Sequence, residues 1–149
     1  MWSYFLRLVL PAAGLAAPQI GINKAVFIFS YDRDPKHLEV VINPTFIPLK
    51  EAKAQGWEGC FSTILCETRW QIANVCRFEQ IQASYFNLEG NRVEKILKNF
   101  AARVFQHEYD YLQGTVNIDR EDAAVKSFSS KAEMLSFLQM VKEQDSKLY

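Results

Sequence analysis

Apolar residues along this chain recur first in strand-like runs and then, from about Asn99, at helical spacing. Ala25–Phe29 and Glu39–Ile42 are mostly apolar runs; Pro44 breaks the second before Phe46–Leu49 resumes, which predicts separate strands on either side of the proline. Ser30-Tyr31-Asp32-Arg33-Asp34-Pro35-Lys36 between the first two is a polar turn-forming loop. Trp70–Arg77 and Gln80–Phe86 read as strands. Asn87-Leu88-Glu89-Gly90-Asn91 predicts a hairpin turn into Arg92–Leu97, because Gly and Asn tolerate the positive φ such turns require. Phe100, Val104 and Tyr111, with Ala101 and Phe105, then mark one face of a helix that Gly114 is placed to stop. Ser130–Gln144 is a second helix, with Met134, Leu135, Leu138 and Val141 inward and a Ser130-x-x-Glu133 capping pattern at its start. The expected architecture is α+β: a mainly antiparallel sheet packed on a central helix, with a C-terminal helix at 130–144.

Composition narrows the functional classes. At 149 residues with 49% hydrophobic content, the chain suits one core rather than two domains, so residues 1–149 are read as a single domain. Seventeen basic residues balance seventeen acidic ones, and the Lys and Arg are scattered, which argues against nucleic acid as a partner. Cys60, Cys66 and Cys76 form an odd set without C-x-x-C spacing, so a reducing compartment fits better than a secreted disulfide framework. Trp2–Leu10 is apolar but interrupted by Arg7 and ended by Pro11, well short of the roughly 20 residues a membrane span requires. It reads as the last turns of a core-packed helix; no basic residue precedes it, as a secretory signal would require.

His107-Glu108-Tyr109-Asp110-Tyr111 is a zinc-hydrolase signature with its last ligand replaced. In H-E-x-x-H two histidines four apart project from one helix face onto a metal, and the glutamate handles the proton of the attacking water. Here the fifth position is Tyr111. Glu108 is accordingly a candidate general base, against the plainer reading of a solvated helix-face acid. Gly14 and Gln19 suit a substrate cleft, since glycine lets a peptide backbone approach and a glutamine amide can donate to a developing oxyanion; a tight loop bounded by Pro18 and Gly21 is the alternative.

Three segments occur in order: Ala12-Ala13-Gly14-Leu15-Ala16-Ala17-Pro18-Gln19, Glu58-Gly59-Cys60-Phe61-Ser62, and His107-Glu108-Tyr109-Asp110-Tyr111. Together they resemble the GxGLAAPQ, EGCxS and HExxH motifs of the peptide deformylases. Ile42-Asn43-Pro44, Arg77-Phe78 and Ile118-Asp119-Arg120 extend the similarity, which runs from about Ala12 to Arg120. The resemblance implies a central metal-site helix and one divalent ion, ferrous iron or a substitute such as zinc, nickel or cobalt. Cys60 and His107 would be its ligands, though a lone cysteine is more often a small buried hydrophobe. It also implies that Glu108 is the acid/base, that Gln19 and the backbone N–H of Phe61 hold the oxyanion, and that Ala13, Arg103 and Val104 border a pocket for methionine. The reaction implied is removal of formyl from the N-terminal methionine of nascent chains, in bacterial cytoplasm or an organelle of bacterial descent.

The departures from that pattern are concrete. Ala12 replaces a glycine, Phe61 a leucine or glutamate, and Cys76 a proline, while Thr63–Val75 is longer than usual. The strand and helix that precede the first motif in the family are missing or reduced to Met1–Leu10, so the exposed core would be less stable or completed by a partner. Tyr111 stands where the third ligand belongs. A phenol with a pKa near 10 must lose its proton to compete with imidazole, so Tyr111 is either an unusual ligand or an aromatic wedge filling the site. His37, in the polar loop, is a poor substitute. Two readings follow: an active metal-dependent deformylase, or a non-catalytic relative that keeps the cleft and binds peptide N-termini or a partner. A thermolysin-like peptidase is weaker, because it needs the second helix histidine and leaves Cys60 unexplained.

Overall fold

Two antiparallel sheets enclose one long helix in the computed structural model, which describes residues 13–63 and 69–145. The expected helix over Trp2–Leu10, and Cys66, lie outside the described residues. Five strands form the larger sheet in the order β1-β2-β3-β6-β7: β1 Gly14–Ala16, β2 Val26–Ser30, β3 Leu38–Pro48, β6 Gln80–Phe86 and β7 Arg92–Lys98. The smaller sheet has the order β4-β5-β8, with β4 Lys53–Gly59, β5 Trp70–Phe78 and β8 Ala124–Phe128. The central helix α1 spans Asn99–Leu112 and the C-terminal helix α2 spans Lys131–Gln144. The α+β class holds, although the sheet is divided in two.

One expectation is corrected. Pro44 does not separate two strands: β3 runs through it, and the ladder to β6 shifts register between Ile42 and Thr45. Proline lacks an N–H, so the ladder loses a rung there and a bulge absorbs the irregularity, with Asn43 at φ 49°. Strands β1, β4 and β8 are additions that the apolar pattern did not mark. β1 is three residues long, and β8 is mostly exposed.

α1 is buried over most of its surface because it touches both sheets. Phe105 stands edge-on to Phe27 and Phe29, with ring centroids 5.1 and 5.7 Å away. On the other side Gln106 bonds the backbone N–H and carbonyl of Phe78 in β5, a polar clamp that satisfies a strand end inside the core. Gly114, at φ 75°, ends the helix as expected. α2 starts at Ser130, whose hydroxyl accepts from the N–H of Glu133. Its Met134 packs with Trp70 and Ile72, and Phe137, which the periodicity missed, meets Trp57 edge-on at 5.1 Å. Among the described residues no helix is long and apolar enough to cross a membrane.

Candidate active site

Glu58 organises the interior of the site. It lies near the end of β4, two residues before Cys60, which follows the strand's last residue, and both side chains reach α1 residues. The carboxylate, 7% exposed, accepts from Arg77 at both oxygens, 2.9 Å each. It also accepts from Arg103 Nη1 at 2.8 Å and from His107 Nδ1 at 2.8 Å. Burial opposes its charge, but Arg77 and the His107 bond overcome that and hold the carboxyl far below its ordinary range. Arg77 extends the network to Asp110 at 2.6 Å, and Asp110 takes Arg120 at 3.2 Å.

The bond to Glu58 fixes the His107 ring, so that Nε2 faces the Tyr111 hydroxyl at 3.2 Å. That hydroxyl also lies 2.6 Å from Cys60 Sγ. Cysteine and histidine thus converge from β4 and α1, and the phenol stands between them. Burial works against charge at all three groups. His107 is nevertheless raised to about 10 by the nearby Cys60 and by its bond to Glu58, and Cys60 is lowered by His107 and Tyr111. Tyr111 is pushed well above its ordinary value by burial and by the Cys60 charge, so it remains a neutral phenol that donates to sulfur.

These residues do not fit a metal ion as they stand. Protein metal centres of this type use at least three protein ligands, and a protonated phenol is not one of them. Among the described residues no group of three or more His, Cys, Asp or Glu side chains could hold a metal.

A cleft of about 320 Å³ opens beside this cluster. Gly14, Gln19, Cys60, Phe61, His107 and Glu108 line one side, with Ala13 and Val104 next to them. α2 adds Met134, Leu135 and Leu138 to the lining. Glu108 is buried, and its Oε2 has no hydrogen-bond partner. Burial is the first cause that lifts its pKa, to about 7. A Cβ added to Gly14 would lie 2.4 Å from Glu108 Oε1, so glycine is what allows β1 to pass the carboxyl. Gln19 is anchored through Oε1 to the N–H of Ala16 at 2.9 Å, and its amide donates to Ser62 Oγ at 3.1 Å.

All ten residues singled out from the sequence border this cleft. Arg103 needs a different account from a pocket wall alone. Its guanidinium lies against Gly56, where a Cβ would come within 2.7 Å of Cζ, and donates to the carbonyls of Ala54 and Val75 as well as to Glu58. The charge that fits an apolar pocket poorly is absorbed by the interior network. His37 sits apart, paired with Asp32 and stacked on Tyr31. Sequence reading passed over Glu58 and Arg77 as site residues. The placing of Glu58 two residues before Cys60 was the available signal.

The model of the polypeptide deformylase family matches residues 2–127. A peptide deformylase 2 of Ralstonia nicotianae is 39% identical over 109 residues, covering 68% of this chain and 59% of that protein. A peptide deformylase 2 of Rickettsia conorii is 35% identical over 146 residues, covering 90% and 69%. Among solved structures, the Met-Ala-Ser-bound class I type b peptide deformylase of Acinetobacter baumannii superposes with a TM-score of 0.64 at 31% identity, over 73% of this chain and 70% of that one. The chain spans only about three fifths of the length of the Ralstonia relative. With 126 of its 149 residues inside the family match, the chain belongs to the polypeptide deformylases.

Proposed function

We propose that the chain, acting as one domain, takes the N-formylmethionyl end of new peptides into its cleft and removes the formyl group with low turnover. The observation that carries this reading is the buried Glu108 carboxyl, facing Gly14 with one oxygen unpartnered, in the same cleft as Gln19. A water oxygen attacks the formyl carbon while Glu108 takes its proton. The carbon–nitrogen bond then breaks, the proton passes to the departing amine, and formate leaves. Oxyanion stabilisation falls to the Gln19 amide and the N–H of Phe61. Ala13 and Val104 border the first residue's side chain, with the stem of Arg103 behind them. In the resembled family a divalent metal, iron or zinc, supplies polarisation of the carbonyl; Cys60 and His107 are two of the ligands such an ion would require. With Tyr111 in the third place the set is incomplete, so the turnover expected is low. The setting would be bacterial cytoplasm or an organelle of bacterial descent, where initiation uses formyl-methionine.

Formate release from N-formyl-Met-Ala-Ser, with added ferrous, nickel or zinc ion, tests this. Glu108→Gln is expected to lower the rate by about a hundredfold or more. A base must be ionised to work, so the rate of the unaltered chain should rise with pH through about 7. Gly14→Ala drives a methyl into the Glu108 carboxyl and is expected to cost at least about tenfold through misplacement alone. A second reading, a cleft that holds peptide N-termini without hydrolysis, is favoured by the hydrogen bonds that seat Tyr111 between Cys60 and His107. Formate release no faster from the unaltered chain than from Glu108→Gln, with peptide still bound by both, would establish it instead.

A further inference from the structure

Arg33 is a cation at the cleft that has no counter-charge among the described residues. It lies in the loop between β2 and β3 and lines the same cleft as Gly14 and Glu108. Its guanidinium stacks over the Phe100 ring, 4.6 Å from the centroid, at the first turn of α1. Nε is buried and has no hydrogen-bond partner. The neighbouring carboxylates are engaged elsewhere. Asp32 accepts from Ser30 Oγ and from the N–H of Asp34 at 3.0 Å each, and pairs with His37. Asp34 accepts from the N–H of Lys36 at 2.9 Å. Glu58 is saturated by Arg77, Arg103 and His107. Among the described residues no ion pair is formed by Arg33.

The loop is built to hold this side chain inward. Ser30 donates its N–H to the carbonyl of Ala13, tying the loop to β1. Arg33 itself adopts φ 66°, a left-handed conformation that non-glycine residues enter only under constraint. Burial with no compensating anion pulls its pKa below the usual guanidinium value. A partly desolvated arginine held flat on an aromatic ring presents a rigid fork of donors that matches a carboxylate.

We propose that Arg33 is a specificity-determining residue that binds a carboxylate of the peptide in the cleft, either an acidic side chain or a short peptide's own C-terminus. This rests on the cleft being a peptide site. Calorimetric titration of the full chain with Met-Ala-Ser amide, Met-Ala-Ser free acid and Met-Ala-Asp amide separates the two sources. The unaltered chain is expected to bind at least one of the acidic peptides about tenfold more tightly than the neutral amide. Arg33→Gln should erase that preference and leave the affinity for the neutral amide unchanged. Arg33→Lys should keep part of it, and added salt should reduce it. Equal binding of all three peptides by the unaltered chain overturns the proposal, as does a preference that survives Arg33→Gln, while binding of the neutral amide leaves the cleft reading standing. Failure to bind any of the three overturns the cleft reading and this proposal with it.

Discussion

Tyr111→His is expected to raise bound metal from a small fraction to close to one per chain, and to raise formate release by at least about a hundredfold, since even lost outer support costs metal sites 10–100-fold. Residues four apart on a helix project from the same face, so a histidine at 111 aims its ring at the point where Cys60 and His107 already converge. The exchange also removes the phenol from between the sulfur and the imidazole. Glu58 stays on His107 Nδ1, leaving Nε2 as the free donor atom. Tyr111→Phe is the informative control, because it removes the hydroxyl without adding a ligand and should gain no activity. Elemental analysis beside the turnover assay reads both quantities. One tightly bound ion in the unaltered chain, with no gain in the histidine variant, would show that the tyrosine site is complete in a way that the hydrogen bonds around it do not suggest.

How far this arrangement could be read from sequence depended on whether local pattern or tertiary contact decides a feature. The long strands β5, β6 and β7 and both described helices follow from periodicity, because apolar residues recur along each at its own spacing. β1 and β8 do not, since a strand of three residues and one that is mostly exposed leave no apolar alternation to detect. Pro44 misled because a missing N–H usually ends a strand, whereas here the register shift between Ile42 and Thr45 lets β3 continue. In the site, Cys60, His107 and Glu108 were legible from motif order. Their meeting was an inference from resemblance that the convergence of β4 on α1 now expresses in distances. Arg103 was visible as a misfit but not as part of a network, because its partners lie on β4 and β5, far from it in sequence. Arg33 left no mark at all: an arginine in an Asp-rich loop reads as solvated surface until its ring partner from α1 is seen.

Glu58→Ala is expected to destabilise the fold by about 3–5 kcal/mol, a large share of the roughly 5–15 kcal/mol that holds an ordinary domain together. The cost comes less from the lost attraction than from what remains: Arg77 and Arg103, both almost fully buried, would face each other and His107 without an anion. Glu58→Gln should cost less, because an amide oxygen still accepts from arginine although the charge is gone. The two variants also differ from the unaltered chain in acid. A carboxyl held far below its ordinary value of 4.5 stabilises the fold fully above that value and ceases to do so as pH falls through its depressed folded value. His107, raised to about 10, contributes stability that is complete below 6.5 and disappears as pH rises through 10. Glu58 serves both, so its removal should flatten the acid limb and move the His107 loss to lower pH. Denaturant unfolding at pH 3, 7 and 9 measures these limbs directly. A Glu58→Ala chain that unfolds at the same denaturant concentration as the unaltered one at pH 7 would mean that the arginines find other partners, and that the site's rigidity comes from packing around Phe105 instead.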